Sequence, residues 1–157
     1  MLPSIADLAG YIEQGRGRVA ERRGAREAAL AAYRRAVAHE GQVPIAGGNR
    51  IDRAIQGTPA RLQVARLQRE AQDAAGAAAT DQQSLQILAE ARQDLPDRRT
   101  GPQTPDLLRR SRPQRVELQS RMAWVHRSAA EDHLKSGNVT AALRSQKQAA
   151  VTLPLFK

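Results

Sequence analysis

From Ala60 to Leu95 one class of residue recurs at alternating steps of four and three: Ala60, Val64, Leu67, Ala71, Ala74, Ala78, Asp81, Leu85, Leu88, Arg92 and Leu95. That spacing keeps one side of a helix turned toward a partner helix. Alanine fills many of the positions, so the partner must come close. A long, narrow seam of small residues is a surface for assembly and offers no pocket. The predicted packing seam is Val64, Leu67, Ala71, Ala74, Ala78, Leu85, Leu88 and Leu95, carried on a single helix over 59–95. Such a helix is roughly 50 Å long at about 1.5 Å per residue. Thr58-Pro59 reads as its start, with a hydroxyl cap and a proline at the first helical position. Leu95-Pro96 reads as its end, because the residue before a proline avoids the helical region. Gly76 marks the expected kink.

The remaining chain divides around this helix. Residues 1–41 form an N-terminal helical segment, opened by Ser4 and Asp7 at capping-box spacing. Ile5, Leu8, Ile12 and Val19 mark its apolar side, Gly15 and Gly17 are its expected breaks, and the pattern resumes through Leu30, Tyr33 and Val37. Arg22 and Arg26 lie where the seam would want apolar residues, so at least part of the seam is expected to pack on another chain. Residues 42–58 read as an irregular linker with a Gly47-Gly48-Asn49 turn. Residues 96–113 read as an extended basic strap holding Pro96, Pro102, Pro105 and Pro113. Residues 114–157 read as a helical hairpin turning at Ser136-Gly137-Asn138, followed by an apolar docking tail of Leu153, Leu155 and Phe156. The fold class is therefore all-α, with long helices, a C-terminal hairpin, extended Pro/Arg-rich segments and little or no β-structure.

Ala130, Gly137, Ala142, Ala149 and Pro154 fall at small, turn and terminal positions of that hairpin. In this it resembles one tetratricopeptide-type repeat. Gln146 stands where that pattern has a large residue, and no second copy is visible in the sequence. A lone repeat implies a tight helical hairpin without the stacked groove that the family uses, and no function is carried over.

Aromatic residues make up only 3% of the 157 residues: Tyr11, Tyr33, Trp124 and Phe156. Large aromatics dominate core burial, so the core is expected to be thin and to draw support from partners. The net charge is +9, nearly all of it from arginine, since the lysines are Lys135, Lys147 and Lys157 alone. Arginine forks suit phosphates and carboxylates, although a GC-rich genome also enriches Arg, Ala and Gly. With no cysteine, disulfides and thiolate chemistry are excluded. No apolar run is long enough to span a bilayer. Met1-Leu2-Pro3-Ser4 lacks the features of a secretory signal, and the expected location is a virion or the cytoplasm.

No reaction is legible. His126 and His133 lie seven apart on one helix face, but the positions between them that a third metal ligand would need, 129 and 130, are alanine. The pair reads as polar surface. The Glu131-Asp132 pair sits on a charged helix with no sign of the dry cavity that acid–base work requires. Gly47-Gly48-Asn49-Arg50 lacks the spacing and the lysine of a phosphate loop. The basic clusters carry more weight. Arg16, Arg18, Arg22 and Arg26 stand on the first segment, with 18, 22 and 26 at the spacing of one helix face. Arg98, Arg99, Arg109, Arg110 and Arg112 stand on the strap. These are the candidate contacts to phosphates or to an acidic partner. Stacking aromatics are missing, so base-specific reading is not expected. The expectation is a non-enzymatic assembly subunit of a large complex, a phage or virus particle component, without cofactor or metal. Its partners are protein subunits, copies of itself included. The alternative is a basic protein contacting nucleic-acid backbone without sequence preference.

Overall fold

Six helices follow one another: α1 (Ile5–Arg22), α2 (Arg26–Gln42), α3 (Asn49–Glu70), α4 (Ala74–Gln93), α5 (Pro105–Lys135) and α6 (Val139–Thr152). They come from a computed structural model that describes residues 5–42, 49–95 and 105–152. Among the described residues every regular element is a helix. Helices adjacent in sequence pair tightly, α1 with α2, α3 with α4, and α5 with α6. The three hairpins stack in chain order: α2 packs on α3, while α3 and α4 both pack on α5.

The hairpins share one turn. Gly24, Gln72 and Gly137 each adopt a positive φ (72°, 62° and 75°). In each turn that residue's amide donates to the carbonyl three residues back: Gly24 to Glu21 (2.9 Å), Gln72 to Arg69 (3.0 Å) and Gly137 to Leu134 (3.0 Å). The next amide reaches five back: Ala25 to Ala20 (2.9 Å), Asp73 to Gln68 (2.8 Å) and Asn138 to His133 (2.8 Å). This is a left-handed helix stop that satisfies the last free carbonyls. The same residue then caps the next helix. Asp73 Oδ1 accepts from the Gly76 amide (2.8 Å) and Asn138 Oδ1 from the Ala141 amide (3.1 Å). Ala25 holds the equivalent place with no side-chain acceptor. A motif the sequence shows once is thus built three times by the backbone.

The expected single helix over 59–95 is two antiparallel helices, broken at Ala71-Gln72-Asp73 rather than kinked at Gly76. Nor does a helix start at Thr58-Pro59. α3 begins ten residues before Pro59, at Asn49, and runs through it. An internal proline costs about 3 kcal/mol, but Ile51 and Ala54 in the preceding turns are buried in the core. The Thr58 hydroxyl donates to Ala54 O (2.7 Å), which also accepts from Arg61 (3.3 Å). The basic strap is likewise shorter than expected, because α5 starts at Pro105 and continues through Pro113. Within 1–41 the break comes at Arg23–Ala25, while Gly15 and Gly17 lie inside α1. Ser4, Gly47, Gly48, Pro96 and Pro102 lie outside the described residues.

Two cores result. Ile51 and Ala54 of α3, Leu88 and Ala91 of α4, Leu95, and Leu118 and Val125 of α5 form the larger. Ala29 and Tyr33 of α2 with Val64 and Leu67 of α3 form the smaller. Small residues set the approach of α1 to α2. Gly10, Glu13 and Gly17 are the buried face of α1, and a Cβ on Gly17 would sit 2.7 Å from the Tyr33 ring.

Candidate docking surfaces and a polar cleft

The heptad positions scatter. Val64 and Leu67 enter the smaller core, and Leu85, Leu88 and Leu95 belong to or flank the larger, all within this chain. Ala71, Ala74 and Ala78 are exposed. The seam therefore closes internally at both ends and is open only around the α3–α4 turn.

The predicted arginines do not form a stripe either. α1 ends at Arg22 and Arg26 opens α2, so Arg22, Arg23 and Arg26 gather around a turn instead of lining one face. Arg18 and Arg22 are exposed. Arg16 is paired with Glu13 at 2.6 Å, and Arg26 reaches Glu70 at 3.9 Å. Arg112 is exposed on α5. The side chains of Arg109 and Arg110 lie outside the described set, as do Arg98, Arg99, Leu153, Leu155 and Phe156.

What the sequence reads as the apolar side of the first helix faces outward. Leu8, Tyr11, Ile12 and Val19 are each about half exposed or more (47%, 49%, 57% and 48%). Residues 8, 12, 15 and 19 share one helix face. A shallow cleft of about 530 Å3 continues it, with Gly15, Val19, Ala20, Ala25 and Ala28 between Arg16 and Arg23. At the other end of the stack α6 leaves Val139, Leu143 and Val151 exposed. Scattered apolar exposure is ordinary, but a continuous face on a terminal helix is what a stack presents where its next unit is missing.

Polar groups the sequence treats as surface are instead buried between hairpins. Arg69 of α3 donates through its guanidinium to Asp81 of α4 (2.8 Å) and to Asp132 and Ser128 of α5. Burial works against the Arg69 charge, but the Asp132 hydrogen bond and the two carboxylates outweigh it and hold its pKa above the usual value. Burial pushes Asp81 up to about 6, against the Ser128 hydrogen bond and the Arg69 charge, with Asp132 adding to the rise. A second pair ties α2 to α3: Arg61 donates to Glu40 at 2.7 Å, and both side chains are largely buried. A Cβ on Gly57 would run into the Glu40 carboxylate, so this glycine makes room for the pair. Burial raises Glu40 to about 7, more than the Arg61 charge and hydrogen bond lower it. Near the first turn Arg66 bonds Glu21 and Glu70, both at 2.6 Å. Tyr33 is pushed up to about 12 by burial and by its hydrogen bond to Glu21. On α1, burial opposes the Glu13 charge, yet bonds from Arg35 and Arg16 hold its pKa low.

A third surface lies over α5. α4 and α6 both pack on α5 but make no extensive packing with each other. A trough of about 330 Å3 remains between them, floored by His126, Ala129 and His133 of α5. α4 contributes Ala78, Gln82 and Leu85 to one wall, and α6 contributes Arg144, Ser145 and Gln148 to the other. The two histidines thus line a cleft rather than open surface. Burial lowers the His126 pKa. Asp132 also borders the trough, but Arg69 holds its carboxylate.

Among the described residues no three His, Cys, Asp or Glu side chains gather to hold a metal ion, and no helix is long and apolar enough to cross a membrane. No family model, curated protein or solved structure matches this chain.

Proposed function

We propose that this protein is a non-enzymatic helical subunit that completes its surface by docking into a larger assembly. The observation that carries this reading is the uncovered apolar face of α1, Leu8, Tyr11, Ile12 and Val19, at the end of a hairpin stack. Stacked helical units bury their faces against neighbours, and an uncapped end invites another unit. The exposed α6 face does the same at the opposite end. The partners are protein subunits, copies of this chain included, and a phage or virus particle is the setting in which we place it.

Sedimentation of the untagged full-length protein over a range of concentrations tests this. The expected result is an elongated, self-associating or partly unfolded species. A compact monomer, stable and independent of concentration, overturns it. That outcome leaves the exposed arginines as the functional surface and a backbone-binding, nucleic-acid-associated protein as the reading, recognisable by affinity that falls steeply with salt.

A further inference from the structure

We propose that the trough between α4 and α6 binds an acidic side chain of a partner polypeptide, one with an aliphatic residue beside it. The argument starts from charge. Of the ionisable groups bordering the trough, the one acid, Asp132, is already engaged by buried Arg69. Arg144 on the α6 wall is exposed and forms no ion pair among the described residues. A carboxylate placed here meets an arginine fork with no competing acid in the cleft, and charge-assisted bonds of this kind are the strong ones. Gln82, Gln148 and the His126 ring add hydrogen-bonding groups on all three helices.

Shape supplies the second half. Leu85, Ala78 and Ala129 give the trough an apolar lining beside those polar groups. A free inorganic anion would leave that lining wet, whereas an aliphatic neighbour covers it. Residues 126 and 133 are two helical turns apart, about 10 Å along α5. That length suits a short stretch of polypeptide and exceeds one small anion. No Phe, Tyr or Trp lines the trough, so nucleobases find no large stacking platform there. The trough shares no residue with the α1 face, and its test is separate from that of the assembly reading.

The protein holds three histidines, His39, His126 and His133, and His39 on α2 lies outside the trough. Their ring resonances therefore contain both probe and control. The full-length protein is titrated with acetyl-Leu-Glu-Ala-Leu-amide, with the Glu→Gln version of that peptide, and with an oligothymidylate. The expected result is that the glutamate peptide shifts His126 and His133 while leaving His39 in place. The glutamine peptide, and an Arg144→Gln variant with unchanged helical circular dichroism, bind about fivefold more weakly, the loss expected when a charged hydrogen bond becomes a neutral one. Absence of shifts, equal shifts from the two peptides, an equal shift at His39, or stronger and selective shifts from the oligothymidylate would each overturn the proposal.

Discussion

At the scale of single residues the fold is tied together by charges that have left water. Arg61 and Arg69 sit inside helix–helix contacts, each against carboxylates of other helices. Nothing in the sequence separates them from exposed arginines such as Arg18 or Arg112, because Glu40 lies 21 residues from Arg61 and Asp132 lies 63 from Arg69. Counting arginine as surface charge therefore misses the residues that join the hairpins. The nearest sequence cue is Asp81, an acid at a seam position, which reads as a flaw until Arg69 is placed beside it. Glu40 gives this a measurable consequence. Its pKa rises from 4.5 to about 7 on folding, so between those values the folded chain holds a proton that the unfolded chain has released. Stability from this group is full below pH 4.5 and is lost as pH rises through 7. Asp81 acts in the same direction, and His126, lowered by burial, acts oppositely below its ordinary value. Comparing the parent with Glu40→Gln isolates the one group. Urea unfolding should show the variant gaining on the parent between pH 4.5 and 7.5, by at most about 3 kcal/mol. A parent–variant difference that does not change with pH would remove the assignment.

At the scale of elements, helical character was legible and helix length was not. A four-three period is satisfied by a long helix against a stranger and equally by two antiparallel helices folded on each other. Val64, Leu67, Leu85 and Leu88 obey the period in both cases. The deciding residues are Ala71-Gln72-Asp73, which contain no glycine or proline. The turn at Ser136–Asn138 falls where Gly137 and Asn138 signal it, because the left-handed residue there is glycine. At the middle turn the same conformation falls to Gln72 (φ 62°), where a side chain strains the backbone. Gln72→Gly should therefore stabilise the protein by about 0.5–1 kcal/mol, read as a raised urea midpoint at unchanged slope. Gly24→Ala or Gly137→Ala should shift the midpoint the other way. A destabilising Gln72→Gly would mean that the side chain makes a compensating contact. On α1 the period misled in a second way. Its bulky residues look like the inner face, but the inner face is Gly10, Glu13 and Gly17, where close approach of α2 replaces hydrophobic bulk.

At the scale of the molecule, extensive packing among the described residues runs between neighbours in the stack. α1 packs extensively on α2 alone, and α2 on α3, so the first hairpin is held to the others chiefly through one helix face, the Glu40–Arg61 pair and the Arg66–Glu21 pair. The second and third hairpins share two interfaces and the larger core. Opening should therefore begin at the N-terminal hairpin. Native-state hydrogen exchange is expected to show amides around Ala32–Ala36 exchanging through a partial opening, while those around Leu88, Leu118 and Val125 wait for global unfolding. Equal protection across all six helices would show a single cooperative unit instead.

The repeated turn also governs how this chain finds its structure. Because each tightest pairing joins helices separated by a three-residue turn, those pairings close short loops at little entropic cost, and most touching residues lie close together in sequence. Chains of that kind fold fast, and any one of the three hairpins can act as the nucleus on which the next is laid down. A ribosome releasing this polypeptide would expose one finished hairpin before the following one is made.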